Sequence, residues 1–315
     1  MGTHLKGRNA VVTGAGRGIG REIALALAAE GAKVVVNDPG VTRGGTGGDI
    51  APADEVVAEI KKRGGTAIAS YNSVTDFAAA EKIIKSCVSN FGRIDILVNC
   101  AGVLRERMVF NMPEEDWDTV LTVHLKGTFN MCRHAAPLMR EQKFGRIISL
   151  TSDAWRGTVG QSNYGAAKGG MVSFTRSIAR ELGRSGITCN CIAPMAATRM
   201  TMTDEVLAGM KKRYETGLIS KERYEEFLDM PGPEFVPPTV VYLATDAAAN
   251  INGQVLGCGG GRVALYSEPV EIRGLYRDHK KEGPWTVDEL INLVPKTLLV
   301  GYVNPAPPAP EEKAK

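Results

Sequence analysis

The sequence predicts an α/β protein built on a doubly wound sheet of seven parallel strands, with a lid insertion and a C-terminal extension. Short apolar segments alternate with helical segments over the first 262 residues, and such alternation indicates right-handed crossovers and a parallel sheet. A glycine-rich turn joins the first strand to an Ala/Leu-rich helix. The length of 315 residues with 43% hydrophobic residues suffices for one large domain of about 250 residues plus an appendage.

Each element follows from its pattern of apolar residues in chain order. Short runs rich in Val, Ile, Ala and Cys predict strands at 10–13, 33–37, 67–71, 94–100, 145–150, 188–192 and 254–258. Longer segments with helical periodicity predict helices at 21–30, 53–63, 77–91, 113–141, 164–182 and, briefly, 239–243.

Two segments interrupt this rhythm. Residues 40–48 contain five glycines and predict a loop, expected beside the adenosine of a nucleotide. Residues 195–238 are irregular and methionine-rich, and we interpret them as a substrate lid, with a plain surface excursion as the alternative. The main domain is therefore expected at 1–262 with its lid at 195–238, a C-terminal extension at 263–303, and a disordered tail rich in Pro, Ala and Lys at 304–315.

The glycine turn Thr13-Gly14-Ala15-Gly16-Arg17-Gly18-Ile19-Gly20 predicts a Rossmann-type nucleotide site. Gly14 permits a tight turn, Gly18 allows the backbone to approach a pyrophosphate, and Gly20 allows the helix to pack closely on the strand. The helix N-terminus offers unpaired amides to the anion. A purely structural glycine turn is the alternative, but the strand before and the helix after it favour nucleotide binding.

Asp38 ends the second strand, about 20 residues beyond Gly18, where a carboxylate can accept hydrogen bonds from the adenosine ribose. This favours NAD, because a 2′-phosphate would face a like charge at close range, and Pro39 and Gly40 supply no cation. Arg17 is the observation against a preference for NAD, because its side chain can reach a phosphate of either cofactor.

Tyr164 and Lys168 stand four residues apart on a predicted helix, and Ser152 precedes Tyr164 by twelve residues. Residues at i and i+4 share a helix face, so the ammonium is expected to lie beside the phenol and favour its ionised form. An unperturbed phenol titrates near pH ~10, so it needs such help to act as an acid or base near neutrality. The alternative for the pair alone is an ordinary solvated helix face.

Bulk properties exclude several function classes. The 38 basic and 35 acidic residues leave a net charge of +3 without a basic block, so we expect no nucleic-acid partner. No apolar stretch reaches the ~18 residues of a membrane span, and residues 1–6 lack a signal-peptide core. The six scattered cysteines follow no zinc pattern, so we expect reduced thiols and no metal.

Several motifs occur in an order and spacing that resemble the short-chain dehydrogenase/reductase family over about residues 5–262: the glycine turn, Asn99-Cys100-Ala101-Gly102, Ser152, Tyr164 with Lys168, and Pro194. Within that family, the stretches at 35–38, 91–95 and 123–127, the glycine loop and the C-terminal extension look most like the (3R)-hydroxyacyl-CoA dehydrogenase part of peroxisomal multifunctional enzyme type 2.

The resemblance implies that Tyr164 exchanges the hydroxyl proton, Ser152 orients the oxygen, and Lys168 binds the nicotinamide ribose while lowering the Tyr164 pKa. It also implies that further residues contact the cofactor in addition to the glycine turn, namely Ser73, Val74, Asn99, Ala101, Gly102, Pro194 and Thr198. His124 replaces the Asn that most of the family uses to hold a water. Its imidazole is interpreted as supporting a proton relay or a backbone kink, or as a packed, hydrogen-bonded side chain.

The implied function is an NAD-dependent oxidoreductase that interconverts a secondary alcohol and a ketone, with a (3R)-hydroxyacyl-CoA or a hydroxysteroid-type substrate. A catalytically idle NAD-binding scaffold of the same fold, or a dehydrogenase of another small alcohol, is the alternative. We expect a cytoplasmic homodimer or homotetramer.

Overall fold

The valine-rich and isoleucine-rich segments form the centre of one sheet. The structure is a computed structural model, and it describes residues 2–42, 44–47, 51–198, 201–217 and 219–305. Within these residues the sheet has eight strands in the order β3-β2-β1-β4-β5-β6-β7-β8. The strands are β1 Asn9–Thr13, β2 Lys33–Asn37, β3 Thr66–Ser70, β4 Ile96–Asn99, β5 Gly145–Leu150, β6 Ile187–Pro194, β7 Val255–Gly259 and β8 Arg262–Leu265.

Helices connect the strands and cover both faces of the sheet. They are α1 Gly18–Ala29, α2 Ala51–Lys62, α3 Phe77–Phe91, α4 Glu114–Leu121, α5 Gly127–Gln142, α6 Ser162–Leu182, α7 Asp204–Glu215, α8 Lys221–Leu228 and α9 Pro237–Ala244. Two further helices, α10 His279–Glu282 and α11 Val287–Leu293, follow the last strand and belong to a separate C-terminal unit. Alternate strand residues pack into two separate cores, as in β2, where Val34 and Val36 face one core and Val35 the other. Strands buried on both faces have continuous apolar runs rather than alternating ones, and this confirms the predicted α/β fold.

The strand count differs from the prediction of seven parallel strands. The first seven strands are parallel, and β8 pairs with β7 in the antiparallel direction. A tight turn with positive φ angles of 152° at Gly259 and 56° at Gly260 makes this hairpin. The prediction missed β8 because the strand is only four residues long and three of these are solvent-exposed.

The helix predicted at 113–141 is divided into α4, a π-helical turn at Thr122–Lys126, and α5. An apolar periodicity does not distinguish a π turn from α-helix, because one extra residue in a turn shifts the pattern only slightly. This turn carries His124.

The segment predicted as a lid contains α7 and α8, and the rings of Tyr214 and Tyr224 stack between them with centroids 5.0 Å apart. Its role as a lid remains a prediction. No helix in the described part of the chain is both long and apolar enough to cross a membrane.

The chain divides into two compact units, residues 1–266 and 267–315. In the second unit a capping box at Thr286 and Glu289 begins α11, and Arg277 stacks on Trp285. From residue 306 onward, the tail predicted at 304–315 lies outside the described residues.

Candidate active site

The strand order reverses between β1 and β4, and a cleft opens there at the carboxyl ends of the strands. Open α/β sheets bind ligands at such a switch point. The cleft is lined by nearly all of the predicted site residues: Gly14, Arg17, Gly18, Ile19, Gly20, Asp38, Ser73, Val74, Ala101, Gly102, His124, Tyr164, Lys168, Pro194 and Thr198.

The glycine turn makes one end of the cleft, and its shape requires glycine. Gly14 has a φ of 62°, and an added Cβ would lie 2.8 Å from the Cα of Ala101. A Cβ on Gly20 would overlap the carbonyl oxygen of Gly14. Helix α1 begins at Gly18 directly above this turn. The backbone therefore forms a cradle beside a helix N-terminus, which fits the pyrophosphate of a dinucleotide.

Asp38 lies where β2 ends, and two backbone amides hold its carboxylate. Gly16 N donates to Oδ2 at 2.9 Å, and Gly40 N donates to Oδ1 at 2.7 Å. These bonds orient the carboxylate at the rim of the cleft beside the glycine turn. A ribose hydroxyl can donate to the remaining lone pairs of the carboxylate.

Tyr164, Lys168 and Ser152 meet at the opposite end of the cleft. The Ser152 side chain faces the Tyr164 phenol and acts to lower its pKa, and the Ser152 hydroxyl accepts from Ala154 N at 3.3 Å. The Lys168 Nζ lies 5.4 Å from the centroid of the Tyr164 ring and donates to the carbonyl oxygen of Leu150. The structure thus brings together the three residues that the sequence singled out.

The protonation of this pair differs from the sequence expectation. Burial raises the pKa of Tyr164 to about 12, although the Ser152 side chain acts to lower it. Burial also lowers the pKa of Lys168 to about 8. Removal from water disfavours the charged form of both groups, and in the protein alone this outweighs the help that the amine was expected to give the phenol.

His124 is 2% exposed and lies in the wall of the cleft. Its Nε2 is 2.7 Å from the carbonyl oxygen of Val103 and 3.1 Å from the Val103 amide, and its ring meets the Tyr164 ring edge-on at 5.1 Å. Burial lowers the pKa of His124 well below its ordinary value, so the imidazole is neutral. A Cβ on Gly102 would overlap the His124 ring. The packed, hydrogen-bonded interpretation agrees with these contacts, and a proton relay through His124 stays a prediction.

The remaining predicted residues divide by position. Asn99 ends β4 beneath the cleft and donates to Ser149 Oγ at 3.2 Å, rather than lining the cleft. The hydroxyl of Ser73 is 2.8 Å from that of Thr75, so it shapes the turn after β3. Thr198 N donates to Thr201 Oγ1 at 2.8 Å, close to Pro194 at the end of β6.

Sequence reasoning missed other residues that line the cleft, namely Asn37, Pro39, Val41, Gly45, Thr75, Cys100, Val103, Val123, Leu150 and Thr151. Most of them adjoin a motif in the sequence and were therefore within reach of the prediction. Val41 and Gly45 belong to the glycine loop, which the sequence placed beside the adenosine without naming a residue.

Comparisons with known proteins agree with this arrangement. A family profile described as short chain dehydrogenase matches residues 8–209. The chain is 43% identical over 261 residues to peroxisomal multifunctional enzyme type 2 of Drosophila melanogaster, which covers 82% of this chain but only 40% of that enzyme. It is 41% identical over 276 residues to the hydroxyacyl-CoA dehydrogenase ChsB1 of Mycobacterium tuberculosis, covering 85% of this chain and 82% of that protein.

A solved structure of a short chain dehydrogenase from Mycobacterium avium superposes with a TM-score of 0.78 at 40% identity, and the match covers 99% of this chain and 100% of that one. Family members use nicotinamide cofactors. From the matching profile, the relatives and the site geometry, we conclude that the chain belongs to the short-chain dehydrogenase family of oxidoreductases and is similar to the dehydrogenase part of peroxisomal multifunctional enzyme type 2.

Proposed function

We propose that this oxidoreductase depends on NAD and interconverts a secondary alcohol and a ketone. The observation that carries the proposal is the partly buried Tyr164 phenol beside Ser152 and the buried Lys168 amine, in a cleft that the glycine turn also lines. Tyr164 exchanges the proton of the substrate hydroxyl, Ser152 orients that oxygen, and Lys168 holds the nicotinamide ribose. A bound nicotinamide supplies the hydride acceptor and, when oxidised, a positive charge near the phenol.

The preference for NAD rests on Asp38. Its carboxylate is held at the rim of the cleft by the amides of Gly16 and Gly40, so it cannot easily turn away from a cofactor. A 2′-phosphate about 4 Å from this carboxylate would be repelled by roughly 4 kcal/mol at an effective dielectric constant near 20. Arg17 lines the same cleft and is the one residue of the turn that would favour a phosphate.

We expect Asp38→Asn to shift the cofactor preference toward NADP by at least about tenfold, because it removes the repulsion while keeping an oxygen acceptor. The measurement is the ratio of kcat/KM for NADP and NAD. Asp118→Asn is the matched control, since Asp118 is exposed on α4 and is not among the cleft residues. An unchanged ratio in the Asp38 variant would show that Asp38 does not select the cofactor.

A second, mainly apolar cavity supports an extended apolar substrate. It lies between the lid helices and the loops before α6, and its apolar lining consists of Leu104, Val159, Val206, Met210, Phe227 and Met230. Arg213, Glu106, Gln161, Thr158 and Thr201 contribute the polar groups. Together with the name of the Mycobacterium tuberculosis relative, this lining favours a hydroxyacyl-CoA, which we propose to be the (3R) isomer, with a hydroxysteroid-type alcohol as the second substrate class.

A screen of alcohols tests this proposal. Wild-type protein is incubated with NAD or NADP and with (3R)- and (3S)-hydroxyacyl-CoA thioesters, hydroxysteroids and short secondary alcohols, while formation of the reduced cofactor is recorded. We expect turnover with NAD and a preference for the (3R) thioesters or the steroids. Binding of NAD without turnover of any alcohol would instead support the idle scaffold. We further propose a cytoplasmic homodimer or homotetramer, which light scattering of the purified protein and fractionation of its source cells can contradict.

A further inference from the structure

The structure assigns Arg105 a role that neither the motifs nor the comparisons indicate. We propose that Arg105 is a positioning residue that holds the wall of the cofactor cleft and the start of the Tyr164 helix in one arrangement. This inference rests on the proposed function, because the cleft is taken to bind the dinucleotide.

The side chain of Arg105 joins two distant parts of the chain. Its Nε donates to the carbonyl oxygen of Gly44 at 3.0 Å, and its Nη1 donates to Glu115 at 2.9 Å and to Asp116 at 3.1 Å. The Arg105 side chain is only 17% exposed. Bonds from a guanidinium to carboxylates are charge-assisted and directional, so Arg105 ties the glycine loop after β2 to the first turn of α4.

The loop portion held by Arg105 forms part of the cleft wall. Gly45, which follows Gly44 in the chain, lines the cleft. It also lies against Val103, because a Cβ added to Gly45 would be 3.2 Å from Val103 Cγ1. Gly45 also has a φ of 87°, which favours glycine. The position of this wall therefore depends on the contact between Arg105 and Gly44.

The backbone of the same residue connects to the catalytic helix. Asn163, which is fully buried, donates from Nδ2 to the carbonyl oxygens of Arg105 at 2.9 Å and Asp116 at 3.1 Å. Its Oδ1 accepts from the amide of Tyr164 at 2.7 Å. Asp116 is thus bound through its side chain by Arg105 and through its backbone by Asn163, so the cleft wall and the Tyr164 backbone share one hydrogen-bonded network.

The test compares Arg105→Met with Arg107→Met. The control residue reaches the same Asp116, at 3.9 Å, but is 61% exposed and makes no hydrogen bond to the described residues of the glycine loop. We expect Arg105→Met to speed dissociation of NADH and to raise KM for NAD, each by about tenfold, the effect of losing one charge-assisted hydrogen bond. We also expect a lower kcat, whereas Arg107→Met should stay within about twofold of wild type.

Hydrogen exchange of the protein without cofactor gives a second readout. We expect faster exchange in Arg105→Met in the peptides that contain Gly44 to Thr46 and Tyr164, and wild-type exchange in Arg107→Met. If dissociation of NADH and exchange at both places stay at wild-type values while only Tm falls, Arg105 is a stability residue and the inference is overturned.

Two further comparisons apply if Arg105→Met does not fold or if the wild type does not bind the cofactor. Should Arg105→Met fail to fold, Arg105→Lys retains the charge but cannot bind Gly44 and both carboxylates together, so it should show the same changes at smaller size; wild-type behaviour of the Lys variant overturns the inference. Should the wild type bind neither NAD nor NADH, the proposed function fails, and hydrogen exchange alone decides whether Arg105 couples the two segments.

Discussion

Replacing Tyr164 by Phe is expected to lower kcat by about 10²- to 10⁴-fold, the usual contribution of a positioned acid or base. Phe preserves the edge-on contact with His124 at 5.1 Å and removes only the hydroxyl proposed to exchange the proton. We therefore expect NADH to bind the variant with an affinity within a few fold of wild type. Steady-state kinetics and NADH fluorescence measure the two quantities.

Tyr242→Phe is the matched control, because Tyr242 is 45% exposed on α9, away from the Tyr164 cleft. It should leave both kcat and NADH affinity unchanged. Wild-type turnover by Tyr164→Phe on the substrate found in the screen would mean that another group transfers the proton. Loss of NADH binding along with turnover would indicate a structural rather than a catalytic role for the hydroxyl.

Replacing Lys168 by Met should have opposite effects on activity and stability. We expect kcat/KM to fall by about a hundredfold or more, because the variant loses the group proposed to hold the nicotinamide ribose. Near pH 7, however, the variant should be more stable than wild type. In wild type the amine is charged although it is only 4% exposed, and burial lowers its pKa from 10.5 to about 8. This shift corresponds to a destabilisation of the folded state by roughly 3 kcal/mol at 1.36 kcal/mol per pKa unit. The lost bond to Leu150 O offsets about 1 kcal/mol.

The pH dependence follows from the direction of the shift. The unfolded amine binds its proton below pH 10.5, but the folded amine does so only below about 8. The unfolded state therefore binds more protons than the folded state between these two pH values. As a result, the free energy of unfolding of wild type increases as the pH rises from about 8 to 10.5. Lys168→Met should lack this increase, and the stability difference between the two proteins should shrink from pH 8 upward.

Urea unfolding at several pH values provides the measurement. Lys82→Met, at an exposed position on α3, is the control and should follow the wild-type curve. A constant difference between wild type and Lys168→Met across this pH range would show that the amine of Lys168 titrates no differently in the folded and unfolded chains.

Much of the site was predictable because its geometry is local. Gly14, Gly18 and Gly20 lie within one turn, and Tyr164 and Lys168 share one helix face through the 3.6-residue repeat, so their spacing alone indicates how they are arranged. The strands of the parallel sheet were predictable for a similar reason, since each is a short apolar run bounded by polar or glycine residues. The antiparallel β8 and the π turn around His124 left no comparable pattern.

The sequence by itself determined the α/β class, the glycine turn and the identity of the groups that meet in the cleft, because these depend on residue types at short spacing. Only the tertiary structure decided the protonation of Tyr164 and Lys168 and the partners of Arg105. Removal from water depends on everything packed around a group, and Gly44, Arg105, Asp116 and Asn163 come together only when separate segments meet at the carboxyl ends of the strands. The spacing of residues along the chain predicts neither these protonation states nor the partners of Arg105.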